Sequence, residues 1–421
     1  MEQRYRYEVL PLDTPDGDPH WEAYANIFRT VFLEDRVSPE GIAVFRQHRR
    51  DDQAVLGMVT ADGPGLEGRV PIAGFNATPS TVNDGHGPRP ALIVNTVGVL
   101  PSHRRRGLLN EMMRRQLDLA RAERIPIAVL TASEATIYGR FGFGPASRWQ
   151  SLEIDTGRFG FRAGVEVAGG AVEFVAPSFL GADWDRLVEA HQARHRGTVG
   201  HTKADRLIDT GAWDPAAGGP SKTLRAVAHF DVDGSMDGFA LFRFKGWDEH
   251  PKAQVLKVCA PEIAVERALW RALTGMDLVQ TLVFHGSSPS DPLPLSLLDA
   301  RAVKVKGVGD SVWLRILDLP DAVAGRAFDA DGELVLQVDD AMGYAAGTWR
   351  LTVSGGVGSC LPTDSEPDVR LAVDTLALLW HGDRGAGEVA RAGLIGGTDR
   401  AVAAMGRLFR WDEPTANLAS F

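Results

Sequence analysis

Cysteine is almost missing from this chain. Cys259 and Cys360 are the two among 421 residues, too few for a disulfide framework or for a metal site built from several thiolates. The 11 histidines are scattered and give metal chemistry little support, so no metal is expected. No apolar run approaches the roughly 18 residues that a spanning helix needs, and the opening MEQRYRYEVLPLD holds no apolar signal core. A cytoplasmic protein without a membrane partner is therefore expected. The formal net charge of -10 argues against a dedicated nucleic-acid partner and suits cationic small substrates.

What remains is the composition of a soluble globular protein, 44% hydrophobic and 24% charged. At roughly 150 residues per domain the length implies two or three domains, and three are expected. The densest signal is the run from Val97 through Gly98, Val99 and Leu100 to Pro101-Ser102-His103-Arg104-Arg105-Arg106-Gly107-Leu108-Leu109. It reads as a strand, a basic turn and a helix start. Unpaired N–H groups at a helix N-terminus carry the positive end of the dipole and bind phosphate. Arginines add forked, charge-assisted hydrogen bonds, and Gly107 keeps the backbone approachable. Residues 104–109 are accordingly the candidate diphosphate site, with residues 97–99 before it and Ser133 after it as further candidates for ligand contact.

Periodicity predicts strands over 6–10, 54–60, 69–78 and 91–99, helices over 21–32 and 38–50, then a helix over 106–123 with Leu109, Met113, Leu117 and Ala120 on one face. A short strand over 127–130 and a small turn over 137–143 follow. A second strand-helix-strand series is predicted at 255–258, 262–274 and 281–284. Its turn reads Ala260-Pro261-Glu262, placing an acid where a diphosphate would sit. Beyond 310, strands over 312–316, 333–338 and 348–353 precede helices over 369–380 and 398–409, which suggests an α+β layer.

The order over 91–146 resembles the acyl-CoA core of the GCN5-related N-acetyltransferases (GNAT). Arg104 and Gly107 satisfy that family's (Arg/Gln)-x-x-Gly-x-(Gly/Ala) turn, and Leu109 departs from it. VGVLPSHRRRGLL followed by IYGRFGFGPA is similar to the Eis (enhanced intracellular survival) family over essentially the whole length. That resemblance implies a fold of mixed α/β and α+β class: two tandem GNAT-like domains followed by a sterol-carrier-protein-like domain. The expected divisions are 1–155 (catalytic), 156–309 (degenerate, without CoA) and 310–421.

It further implies acetyl-CoA as cosubstrate and direct transfer in a ternary complex to a small-molecule amine. Aminoglycosides, at one or several positions, and lysine side chains are the implied acceptors, and a homo-hexamer the implied assembly. Tyr138 takes the general-acid role in this reading, since a phenol of pKa about 10 protonates a thiolate only with geometric help. The carboxylate at Phe421 is expected to enter the active site and dock the cationic amine. Glu34, Asp35 and Glu134 are candidate acceptor ligands. An acetyltransferase for another metabolite amine, and a lipid- or CoA-binding carrier without turnover, stay open as alternatives.

Overall fold

The computed structural model describes residues 5–62, 69–246, 251–413 and 415–419. Their strands form sheets of seven, seven and five. In space the first sheet runs Tyr5–Val9, Val55–Asp62, Arg69–Asn83, Pro88–Val99, Ile127–Leu130, Trp313–Ile316, Gly144–Pro145. Its one parallel pairing joins Pro88–Val99 to Ile127–Leu130, and the helix Leu108–Ala122 makes the crossover that a parallel pair requires. Leu108, Met112, Met113, Leu117 and Ala120 on that helix bury one face against the sheet. Each buried Leu or Met contributes about 1.5–3 kcal/mol.

The second sheet repeats the plan. Lys252–Cys259 lies parallel to Thr281–Ser287, with the helix Ile263–Thr274 between them. Val265, Leu269, Trp270 and Leu273 fill its core at spacings of three and four.

Two strands sit in sheets that their position along the chain does not suggest. Arg148–Asp155 pairs with Thr281–Ser287 and Val303–Asp310 of the second sheet. Trp313–Ile316, which the texture of the sequence groups with the third segment, pairs with Ile127–Leu130 of the first. Leu314 and Ile316 on one side and Trp313 and Arg315 on the other are all buried. A strand buried on both faces reads the same whichever sheet it joins.

The third sheet orders Val357–Pro362, Gly347–Ser354, Gly332–Asp339, Val369–Ala372, Ile395–Gly397. Helices Val373–Trp380 and Asp399–Phe409 pack on it, and Leu336, Leu376 and Trp380 are fully buried in one continuous core. That core also takes in Ile93, Val129 and Leu314 of the first sheet. The third unit thus covers the sheet face opposite helix Leu108–Ala122. Arg315 seals the junction: its Nη2 donates to both carboxylate oxygens of Asp340 at 2.8 and 2.7 Å.

Candidate active site

The strand Pro88–Val99 is uncovered where chemistry needs it to be. Its parallel neighbour pairs only Leu92 with Ala128 and Ile93 with Val129, so among the described residues the edge from Val94 to Val99 has no strand partner there. On the other edge, Thr96 and Val97 face the single residue Phe75, a β-bulge between the pairs Asn76–Asn95 and Gly74–Gly98. Thr96 is held at φ 52°, a left-handed conformation costing a β-branched residue about 1–3 kcal/mol. Bulges of this kind re-aim a strand beside a site.

Beyond the strand, Arg105 (φ 62°) and Gly107 (φ 78°) turn the chain into the helix. The first bond inside it is Glu111 N–H to Gly107 O at 3.1 Å, so the N–H groups of Leu108, Leu109 and Asn110 point out of the helix end. Arg106 is braced by the Tyr5 hydroxyl and by Ser102 O, while Arg104 and Arg105 are exposed. A cleft of about 790 Å³ brings together Val97, Gly98, Val99, all of Arg104 to Leu109, Ser133 and Tyr138. Residues 41 positions apart in sequence thereby share one groove with an open helix N-terminus at one side.

A second cavity of about 630 Å³ adjoins it, and Phe32, Val97, Ser133 and Tyr138 line both. Tyr138 is thus at the junction. Its ring packs edge-on against Phe143 with centroids 6.3 Å apart, and among the described residues its hydroxyl has no hydrogen-bond partner. Burial, with a smaller contribution from Glu134, pushes the phenol above its ordinary pKa, so it holds its proton at neutral pH.

The second cavity is walled by Phe28 and Phe32 of helix Pro19–Phe32, by Phe45, His48 and Arg49 of helix Pro39–Asp51, and by Leu207, Ile208 and Trp213. The two helices were predicted from the sequence, but none of these residues was chosen there as a site residue. The available signal was helical spacing: Ile42, Phe45 and Arg49 fall on one face, which puts an arginine on the apolar side. Of the expected acceptor ligands, Glu34 lines this cavity, but Arg29 Nη1 holds it at 2.6 Å. Glu134 lines the first cleft instead, and Asp35 is exposed and lines neither.

Phe421 lies outside the described residues. The tail leading to it is firmly held up to Ala419. His191 Nε2 bonds Ala416 O at 2.9 Å, Val199 N–H donates to Asn417 Oδ1 at 3.1 Å, and Ala419 is buried. Thr415, Asn417, Leu418 and Ala419 line a third cavity of about 300 Å³, and Thr131 is common to it and the acceptor cavity.

In the second copy the equivalent turn is occupied. His191 and His195, spaced His-x-x-x-His across the end of helix Gly181–Arg194 and overlooked in reading the sequence, lie with ring centroids 4.3 Å apart and planes tilted by 43°, and His191 Nδ1 is 3.3 Å from Ala260 O. Burial pushes His191 down to about 4, so the ring is neutral and its one N–H serves one carbonyl, Ala416 O at the shorter distance. Among the described residues no three His, Cys, Asp or Glu side chains gather as metal ligands. Cys259 is fully buried, and burial pushes its thiol up to about 12, which removes it as a nucleophile. No described helix is long and apolar enough to cross a membrane.

Comparison with known proteins agrees with this geometry. Residues 17–146 and 205–316 each match an acetyltransferase (GNAT) domain family, and 319–416 match a sterol carrier protein domain. An uncharacterised N-acetyltransferase of Streptomyces griseus is 37% identical over 69% of this chain and 72% of its own length. N-acetyltransferase Eis of Mycobacterium tuberculosis is 32% identical over 85% of this chain and 86% of its own. The crystal structure of Eis1 from Mycobacterium abscessus superposes with a TM-score of 0.80 and 25% identity, covering 99% of this chain and all of that one.

Proposed function

The chain belongs to the Eis family of GNAT N-acetyltransferases, and on that premise we propose that it passes the acetyl group of acetyl-CoA directly to the amine of a small molecule held in the aromatic cavity. The observation that carries this is the shared wall: Tyr138, Val97 and Ser133 line both the donor cleft and the acceptor cavity. A ternary complex then brings the amine to the thioester without an acyl-enzyme, and this chain's buried Cys259 lines neither cavity.

In the transfer a C–N bond forms as the thioester C–S bond breaks, the amine nitrogen gives one proton to solvent water, and the departing thiolate takes one from an acid that solvent reprotonates. Residues Leu108 to Asn110 and Arg104 to Arg106 hold the diphosphate, and the open edge from Val97 to Val99 pairs with pantetheine as an added strand. A backbone N–H near Val97 polarises the carbonyl, an effect typically worth about 3–4 kcal/mol per donor. Tyr138 supplies the thiolate's proton. We assign the amine's docking to the tail that ends at Phe421, on the family resemblance and on the course of residues 415–419 beside Thr131.

The second GNAT unit is proposed to bind no CoA, since His191 and Glu262 stand at its turn. A homo-hexamer working in the cytoplasm belongs to the same proposal, and sedimentation equilibrium tests the assembly. The amine-rich acceptors implied by family resemblance, aminoglycosides and lysine side chains, are less well supported by the cavity than a small amine of lower positive charge. Among the described lining residues two guanidinium groups, Arg29 and Arg49, stand against the carboxylate of Glu34. Amine-dependent release of free CoA across a panel of acceptors tests the reading; no release with any amine overturns it.

A further inference from the structure

The acceptor cavity has a cation, Arg49, that forms no ion pair among the described residues. Arg49 lines the wall yet is only 7% exposed, its Nε is buried without a partner, and among the described residues no carboxylate lies within ion-pair distance of its guanidinium. Its neighbours are the Phe45 ring, 5.2 Å below the guanidinium, and the electrostatic influence of Tyr24 and Asp52. Burial lowers its pKa to about 10 with Tyr24 and Asp52 opposing, so it is charged at neutral pH. Two more unpaired polar atoms share the wall: His48 Nδ1 and Asn95 Oδ1. Burial and then Arg49 push His48 down to about 3, leaving a neutral imidazole beside the cation.

Buried polar groups without partners are rare in folded proteins and call for an explanation. Here three belong to residues that line one ligand-sized cavity, two on helix Pro39–Asp51 and one on strand Pro88–Val99, among mostly aromatic and aliphatic neighbours. Among the described lining residues the one carboxylate, Glu34, already has Arg29. A bound anion satisfies Arg49, and a polycation does not: each ammonium beyond the reacting one enters a site that already holds an unpaired positive charge.

Resting on the acetyltransferase reading above, we propose that the acceptor is an amine with an aromatic or apolar body and a carboxylate at its far end, and that Arg49 binds that carboxylate. The reacting nitrogen then faces Tyr138 and the thioester, and the transfer is the one already written. Phe28, Phe45 and Trp213 enclose the body.

The test uses the full chain and a matched pair, para-(aminomethyl)benzoate and its carboxamide, with spermidine as the polycation. Free CoA release is expected to give kcat/KM about tenfold or more higher for the carboxylate than for the carboxamide, as a charge-assisted bond is worth in a desolvated site. In Arg49→Met that ratio is expected to fall toward one, with acetyl-CoA affinity by calorimetry unchanged. Arg49→Lys is expected to keep part of it. A purely structural role for Arg49 lowers both substrates alike and leaves the ratio standing, which overturns the proposal, as does a wild-type preference for the carboxamide or spermidine. If Arg49→Met does not fold, the wild-type ratio and Arg49→Lys decide.

If none of the three amines is acetylated although acetyl-CoA binds, the small-amine reading fails on its own account. Calorimetric titration of the matched pair into CoA-saturated protein then decides the anion site: tighter binding of the carboxylate supports it, and equal affinity overturns it.

Discussion

Arg29 grips Glu34 at the mouth of the acceptor cavity, Nη1 to Oε2 at 2.6 Å. The pair takes out of use the one carboxylate that lines the cavity. It is partly exposed and contributes about 0–1 kcal/mol to stability, so Arg29→Ala is expected to leave the melting temperature nearly unchanged. Freed Glu34 then offers charge to a second ammonium. Turnover of spermidine relative to a monoamine is expected to rise about fivefold, the equivalent of about 1 kcal/mol, as read by CoA release; an unchanged ratio shows that Glu34 does not face the acceptor.

The pH profile carries a signature of Tyr138. A general acid must be protonated, and burial raises the phenol's pKa, so kcat is expected to stay level through neutral pH and to fall only on an alkaline limb above about pH 10. Tyr138→Phe removes that limb together with most of the rate. If the variant keeps the same alkaline limb, the limb belongs to another group.

Gly107 separates backbone strain from steric clash. A Cβ built there meets no atom within 4 Å, yet its φ is 78°. Gly107→Ala is therefore expected to cost about 1–2 kcal/mol through conformation alone. Any relaxation of the turn re-aims the N–H groups of Leu108 to Asn110, so acetyl-CoA affinity is expected to fall. Calorimetry on a variant with unaltered affinity would show that the helix end is not the phosphate site.

The Arg315–Asp340 pair fixes the third unit to the first sheet. Both side chains are at most 1% exposed, and Arg315 Nε and Nη1 already lack partners. Asp340→Ala leaves a buried guanidinium alone and is expected to destabilise by about 3–5 kcal/mol in urea unfolding, whereas replacing both partners with leucine costs less. Burial raises the Asp340 carboxyl, but Arg315 and the N–H groups of Ala345 and Met342 outweigh it and hold it below the ordinary carboxylate range. Its stabilisation is complete above an unfolded pKa of about 3.9 and is lost as pH falls through the lower folded value.

Much of the donor side was legible because its signals are local. The arginine turn and the helix behind it lie within one strand-helix-strand unit, where periodicity and turn chemistry act over a few residues, and Tyr138 follows in the turn just beyond it. The second strand-helix-strand series was legible for the same reason. Trp313–Ile316 and Arg148–Asp155 were not, since a strand's partner is set by contacts far along the chain. The acceptor cavity was missed because it is assembled from three separated helices and Trp213. Arg49 stood among Arg46, Arg50 and His48 as one more surface charge, although its spacing from Ile42 and Phe45 put it inside. Glu34 and Asp35 were chosen for charge in a turn, and only one of them reaches a cavity.

Acetyl transfer at a junction governed by Tyr138 is decided by mass spectrometry of the acceptor alongside free CoA, for wild type and Tyr138→Phe. One N-acetyl group is expected per CoA released, and a rate lower by about 100-fold or more in the variant with acetyl-CoA affinity retained. CoA release that does not depend on the amine, or a Tyr138→Phe variant as fast as wild type, contradicts it.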